Sequence, residues 1–314
     1  MGSTGQGPQV ITWDYMFAPN AQKARNLLNM SNIPFKIVEQ PFVQPRPILT
    51  NLGITYRRVP VNSIGKDFYI DNRTFMQAVQ DVFPDNRLPA TIHDHAYEAF
   101  GYRNFFIILI CLPVEFLTED LIKERADLFK EFGNPEYKEL RPSAMAQMRQ
   151  FFDLIEHDFL RDSTDEKPWI AGASSCGLAD IHASWIPKFT LETLQYDKNE
   201  PCLSREHYPK TYRWLGSIKS HSPETEPEKL NADAASKDVL AQPYYAKEIG
   251  IDSSDPTGLQ AGDMVALQTT DDVAPENAKQ KGKLIGLSPR EIVIELDNGI
   301  RIHSPRIGYA IRKI

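Results

Sequence analysis

The spacing of apolar residues changes twice along this chain, and that change limits the fold more than any other sequence feature. Up to about residue 85, short strand-like runs alternate with helical patterns. In order, these segments are the strand Gln9–Asp14, the helix Asn20–Met30, the strand Pro34–Glu39, the strands Val59–Ile64 and Asp67–Ile70, and the helix Asp71–Phe83. The order β-α-β followed by β-β-α predicts an α/β domain.

The next part of the chain is almost entirely helical in its periodicity, from Tyr97 to about Ser220. Residues 221–258 then carry 8 acidic against 3 basic side chains and are rich in Pro and Ser, which is typical of a linker. Beyond Gly258, short alternating strands and the Asp297-Asn298-Gly299 turn predict a small β-rich, barrel-like module.

These shifts in pattern predict four segments. We assign an α/β domain to residues 1–88, an all-helical domain to 89–220, an acidic linker to 221–258 and the small β-barrel-like module to 259–314. A length of 314 residues is ample for more than one packed domain.

Composition narrows the function classes. A formal net charge of −7 gives no overall attraction for nucleic acid or an anionic membrane, and the longest apolar run, Phe105–Val114, is far shorter than the ~20 residues that a spanning helix needs. The three cysteines, Cys111, Cys176 and Cys202, fit a reduced compartment better than a disulfide framework. We therefore expect a soluble cytoplasmic protein with no nucleic-acid and no membrane partner.

No metal site is expected. His93 and His95, with Asp94 between them, have liganding side chains, but no second ligand cluster follows at a suitable spacing.

Two motifs of the first domain have a possible binding role. Val59-Pro60 begins a predicted strand, where a proline costs little because the first residue can forgo a ladder hydrogen bond. Eleven residues later, Asp71-Asn72 begins a helix, whose free N–H groups attract a carboxylate while the acidic side chain can hold an ammonium. The alternatives are a plain turn proline and a plain helix cap.

Together with the Gly177-Leu178-Ala179-Asp180-Ile181 segment before a helix of the second domain, these motifs resemble the cytosolic glutathione transferase superfamily. The resemblance covers roughly residues 9–220 and implies a thioredoxin-like first domain and an all-α second domain. It implies that Val59, before a cis Pro60, pairs with the cysteinyl unit of glutathione, and that Asp71 and Asn72 hold the γ-glutamyl head. Asn72 replaces the Ser or Thr of the family pattern.

The loop Phe17-Ala18-Pro19-Asn20 follows the first strand and stands where the family has its catalytic loop. Ala18 occupies the usual Ser or Cys position and can neither donate to a thiolate nor form a mixed disulfide. The Ala-Pro-Asn sequence resembles fungal transferases related to the yeast nitrogen-catabolite regulator, in which an asparagine lies near the sulfur. This implies that Asn20, assisted by Tyr15, stabilises the thiolate; the alternatives are an N-cap for Asn20 and simple packing for Tyr15.

A second, electrophilic substrate is expected to contact aromatic and basic residues from both domains. The candidates are Phe17, Tyr102, Arg103, Phe106 and Trp185. The alternative is that the aromatic residues at helical spacing form core.

The function that the resemblance implies is glutathione-dependent conjugation, elimination or isomerisation of a small hydrophobic electrophile, in a fungal secondary-metabolism setting, by a homodimer with glutathione as co-substrate. The sequence 301–309 also resembles C-terminal extensions of fungal transferase-like proteins. The competing hypothesis is a scaffold or regulator that keeps the fold without activity, because fold does not determine function.

Overall fold

The computed structural model describes residues 7–125, 134, 136–221, 227–271 and 278–314. The chain forms two compact units. The first, which we call the sheet unit, comprises Met1–Ala24, Pro34–Asp85 and Glu226–Ile314; the second, the helical unit, comprises Arg25–Ile33 and Asn86–Thr225.

Over its described residues, the sheet unit contains nine strands. They are β1 (Val10–Asp14), β2 (Lys36–Glu39), β3 (Val61–Ile64), β4 (Asp67–Tyr69), β5 (Met264–Thr269), β6 (Gln280–Leu287), β7 (Glu291–Glu295), β8 (Arg301–Pro305) and β9 (Tyr309–Lys313). Their order in one sheet is β2-β1-β3-β4-β8-β7-β6-β5-β9. The helices of this part of the chain are α1 (Pro19–Met30), which extends into the helical unit, α2 (Pro47–Asn51), α3 (Asn72–Val82) and α10 (Ala232–Ala241).

The first four strands form the predicted α/β pattern. β1 lies parallel to β2 and antiparallel to β3, and β3 and β4 form a hairpin. Gly65 turns this hairpin at φ +58°, and a Cβ added there would lie 2.5 Å from the Pro243 carbonyl oxygen, so glycine is required. Helix α2 was not predicted from the sequence, because Pro45 and Pro47 suggested an irregular crossover.

The C-terminal strands are present at the predicted places, but they form an open sheet instead of a barrel. β8 pairs in parallel with β4, with Asp67 opposite Arg301 and Tyr69 opposite His303. Strands β5–β9 therefore continue the sheet that β1–β4 begin. One core unites both halves, since Trp13 and Phe68 belong to the same buried cluster as Ile302.

Part of the acidic segment 221–258 packs on this sheet. The Leu230 N–H donates to the Ile37 carbonyl at 2.8 Å, and the Ile37 N–H donates to the Glu228 carbonyl at 2.9 Å. Helix α10 follows, with Asn231 as its N-cap, and it buries Ala235 and Val239 in the core of the sheet unit.

A buried charge cluster joins the two halves of the sheet. The His303 imidazole contacts Asp67 through Nε2 at 3.2 Å and Glu291 through Nδ1 at 2.8 Å, and it stacks on Tyr69 with ring centroids 4.7 Å apart. Asp67 also accepts hydrogen bonds from the N–H groups of Tyr245 and Ala246. The buried ring and the buried Asp67 carboxylate therefore have partners, and the partly exposed Glu291 completes the cluster.

The same contacts set the ionisation of the cluster. Burial lowers the pKa of His303, but the hydrogen bonds to Asp67 and Glu291 outweigh it and raise the pKa above 6.5. Burial raises the pKa of Asp67, but the His303 hydrogen bond and charge outweigh it and lower the pKa below 3.8. Below about pH 6.5 the imidazole is therefore protonated, and it lies between two carboxylates.

The helical unit consists of helices joined by short turns. Its helices are α4 (Asp94–Cys111), α5 (Glu119–Arg125), α6 (Tyr137–Leu154), α7 (Leu178–Lys188), α8 (Tyr196–Asn199) and α9 (Pro209–Ser220), with π-helical turns at Ile155–Phe159 and Phe189–Thr193 and 3₁₀ turns at Val114–Phe116, Ile170–Gly172 and Pro201–Leu203. A further 3₁₀ turn, Pro84–Asn86, follows α3. The periodicity predicts a helix over Glu119–Phe132, and residues 126–132 of it lie outside the described ranges.

Asp180 organises the start of α7. Its carboxylate accepts from the N–H groups of Gly177 at 2.8 Å and Ile170 at 3.0 Å and from the Trp214 indole at 2.8 Å. Asp180 thus provides the acidic half of a capping box, with glycine in the place of Ser or Thr.

Over the described residues, no helix has both the length and the apolar character needed to cross a membrane.

The substitution His303→Phe tests the cluster. The ring can still stack on Tyr69, but Asp67 loses its imidazolium, so we expect the free energy of unfolding at pH 6 to fall by about 3–5 kcal/mol. Urea unfolding followed by circular dichroism measures this change. The matched variant Glu291→Gln, at the more exposed end of the cluster, should lose less.

The pH dependence supplies a second readout. Because the folded-state pKa of His303 is raised, its stabilisation is complete below about pH 6.5 and is lost as the pH rises through the folded-state value. We expect this alkaline loss in the wild-type protein and not in His303→Phe. Identical pH profiles would show that the cluster does not link stability to pH.

Candidate functional site

The loop before β3 carries the predicted Val59-Pro60 motif, and the peptide bond between these residues is cis. Val59 packs against a small apolar cluster that includes Tyr15, Ala18 and Ala21. Among the described residues, the main-chain N–H and C=O of Val59 have no hydrogen-bond partner. A ligand with a peptide-like backbone could therefore pair with them.

The starts of α1 and α3 lie next to each other in the sheet unit. The Asn72 side-chain amide donates to the Asn20 carbonyl at 2.8 Å, and the buried Asn62 amide lies 3.4 Å from Asn72 Oδ1. The structure thus brings together Asn20 and Asn72, two of the residues selected from the sequence. The positive ends of two helix dipoles meet here, which favours negative charge.

The Asp71 carboxylate accepts hydrogen bonds from other groups of the protein. Oδ1 accepts from the Arg73 N–H at 2.8 Å and from Arg73 Nε at 3.0 Å. Oδ2 accepts from Arg73 Nη2 at 2.9 Å and from the Tyr309 hydroxyl at 3.2 Å. Asp71 is therefore the N-cap of α3, the alternative that the sequence left open, and it also forms an ion pair.

These contacts keep Asp71 charged. Burial raises its pKa, but the Arg73 hydrogen bond and charge, with a smaller contribution from the charge of Lys23, lower it below 3.8. The Tyr309 hydroxyl lies 3.1 Å from the Tyr56 hydroxyl, and burial raises the pKa of Tyr56 to about 12, so both phenols are neutral donors or acceptors near neutral pH.

An aromatic cluster borders the loop after β1. The Tyr15 and Phe17 ring centroids are 4.8 Å apart, Tyr15 and Phe42 are 5.1 Å apart, and Phe17 and Phe42 are 5.0 Å apart. The Arg46 guanidinium braces the neighbouring loop by donating to the carbonyls of Pro41 and Phe42. Phe17 remains 40% exposed, so this cluster offers an apolar surface.

The other candidates for the electrophile pocket belong to the helical unit. Tyr102 is 41% exposed and its ring makes an edge contact with Phe106, while Arg103 is also exposed. Trp185 is only 1% exposed and packs against Phe105 in the core.

Asp94 is part of a local turn, since its carboxylate accepts from the Thr91 N–H and hydroxyl. Within the described ranges, no three His, Cys, Asp or Glu side chains cluster as they would around a metal ion.

The sequence reasoning missed Arg73 and Tyr309. Arg73 could have been found, because a basic residue two positions after an N-cap can fold back on it. Tyr309 could not, because it is 238 residues from Asp71 in the chain.

The substitution Asp71→Ala should destabilise the sheet unit. It removes the N-cap of α3, worth about 1 kcal/mol, and the partner of a half-buried guanidinium, so we expect a loss of about 2 kcal/mol in the free energy of unfolding. Urea titration measures it. Asp71→Asn keeps an acceptor for the Arg73 N–H and should lose less than half as much; equal losses would contradict the capping role.

Residues 109–225 match the model of a domain of unknown function, DUF7962. No curated protein matches the chain.

Solved structures give a broader likeness. A GST-like protein from Pseudomonas syringae aligns over 98% of this chain and 99% of its own, at 20% identity and a TM-score of 0.66. A glutathione S-transferase of Ceriporiopsis subvermispora in complex with glutathione aligns over 69% of this chain and 100% of its own, at 18% identity and a TM-score of 0.49. The Pseudomonas syringae likeness covers both units and the C-terminal strands, and the chain accordingly has a glutathione-transferase-like fold.

Proposed function

We propose that the protein is a glutathione transferase that binds glutathione along the Val59-Pro60 loop and activates its thiol for reaction with a small electrophile. The observation that carries this proposal is the meeting of the α1 and α3 starts, tied by the hydrogen bond from Asn72 to the Asn20 carbonyl. The unpaired main chain of Val59 supplies an adjacent place for the cysteinyl unit.

The chemistry follows from the charge that this place favours. A thiolate near two helix N-termini and an asparagine amide is stabilised relative to the thiol, so the thiol pKa falls below its usual value near 8.5. The proton leaves to solvent, and the sulfur lone pair attacks the electrophile. In conjugation a carbon–sulfur bond forms and the leaving group departs with its electron pair; in elimination or isomerisation the thiol adds and later leaves.

Each side chain of the proposed site has its own role. Asn20 donates its amide hydrogen bond to the sulfur, and Tyr15 lines the same loop. Val59 and Pro60 align the tripeptide, and Asp71 and Asn72 border its head group. Phe17, at the exposed side of the aromatic cluster, contacts the electrophile. The expected roles of Tyr102, Arg103, Phe106 and Trp185 of the helical unit belong to this proposal too.

Asn20→Ala tests the activation step. The titration of bound glutathione is followed by the ultraviolet absorbance of the thiolate, and turnover is followed with a chloronitrobenzene, from which chloride leaves. Since a hydrogen bond to a charged group contributes about 1.5–3 kcal/mol, we expect the thiol pKa to rise by roughly 1–2 units and kcat/KM to fall at least about tenfold.

Asn29→Ala is the matched control, because it makes the same change near the other end of α1. It should leave the thiol pKa and kcat/KM unchanged. A wild-type protein that binds glutathione without lowering its thiol pKa would refute the proposed activation.

A scaffold or regulator without activity is the second candidate, and two observations favour it. Ala18 stands in the loop position where the resemblance places a catalytic hydroxyl or thiol, and the Asp71 carboxylate is already occupied. If the protein is a scaffold, calorimetric titration should detect no glutathione binding. The remaining assignments, a cytoplasmic homodimer acting in fungal secondary metabolism, belong to the same proposal.

A further inference from the structure

Donor groups of the protein itself occupy one part of the candidate site, the Asp71 carboxylate. An ionised carboxylate has about four acceptor positions, and four donors already occupy those of Asp71: three from Arg73 and one from Tyr309. An ammonium group arriving at Asp71 must therefore displace a protein donor before it gains a contact.

Tyr309 is held in place by the C-terminal half of the sheet. It opens β9, where it pairs with Thr269 of β5, and its N–H donates to the Arg306 carbonyl. The neighbouring Gly308 carbonyl accepts from Thr270 N–H at 3.0 Å. Strand pairing and a turn thus fix the backbone of Tyr309, which holds its hydroxyl in position.

Gly308 brings the same turn close to Arg73. Its φ is +84°, a left-handed conformation that glycine adopts without strain, and an added Cβ would lie 3.3 Å from Arg73 Nη2. The turn therefore packs against the guanidinium that pairs with Asp71. Two independent features, the Tyr309 hydroxyl and the Gly308 backbone, keep this arrangement compact.

We propose that Arg73 and Tyr309 determine the head-group selectivity of the thiol site, so that it takes N-acylated cysteinyl thiols without requiring an ammonium on the acyl group. This inference rests on the proposed function, because it concerns the ligand of that same site. Such a ligand is held through its cysteinyl unit at Val59, and its acyl head gains nothing from Asp71.

The test compares glutathione with its desamino analogue, glutaryl-cysteinyl-glycine, which keeps the carboxylate and lacks the ammonium. Calorimetric titration gives both dissociation constants for the wild-type protein, Tyr309→Phe, Arg73→Gln and the double variant. We expect the wild-type constants to agree within about twofold, and the double variant to prefer glutathione about tenfold, because the freed carboxylate can then pair with the ammonium.

Tyr56→Phe is the matched control. It removes the hydroxyl that contacts Tyr309 and leaves the Tyr309–Asp71 hydrogen bond in place. Its two dissociation constants should agree as closely as those of the wild type. Each single variant should move toward glutathione by about threefold, which decides the question if the double variant does not fold.

The outcomes separate this inference from the proposed function. A wild-type protein that prefers glutathione tenfold overturns the inference and leaves the proposed function standing. A wild-type protein that binds neither ligand refutes the proposed function, and the inference, which rests on it, is refuted as well. Variants that gain no preference for glutathione overturn the inference in every case.

Discussion

The parallel pairing of β4 with β8 is the contact on which the rest of the sheet unit depends. It converts two groups of strands, far apart in the chain, into one sheet with one core. The buried cluster of Asp67, His303 and Glu291 lies at this junction. A buried ion pair contributes little net stability over apolar packing, but loss of one partner is costly, so the cluster favours this strand register over others.

The candidate site depends on the same junction. Because β8 is fixed beside β4, the turn that follows it and the start of β9 reach the beginning of α3, where Tyr309 contacts Asp71. The C-terminal strands thus add the fourth donor to a carboxylate that already accepts three hydrogen bonds from Arg73. Asp71 serves helix capping and ion pairing at once, and a ligand must compete with both.

Activation of a thiol requires much less of the structure than recognition of a head group. Two helix starts and an amide donor suffice to favour a thiolate, and α1 and α3 provide them within residues 19–72. Recognition of the γ-glutamyl group needs open acceptors, which the structure has filled. Substitutions at Asn20 and at Tyr309 can therefore separate the two functions that we propose for the site.

The sequence by itself determined the local elements. Period-2 and period-3.6 patterns located the strands and most helices, Asp71 marked a helix start, and the motifs of the first domain indicated a glutathione-transferase-like fold, because these signals depend on residues close together in the chain. Only the tertiary structure decided that the C-terminal strands extend the first sheet and that His303 lies between two carboxylates. It also decided that the Tyr309 hydroxyl donates a hydrogen bond to Asp71. These side-chain contacts join residues 236 and 238 positions apart, and they depend on shape and buried charge, which have no local signature.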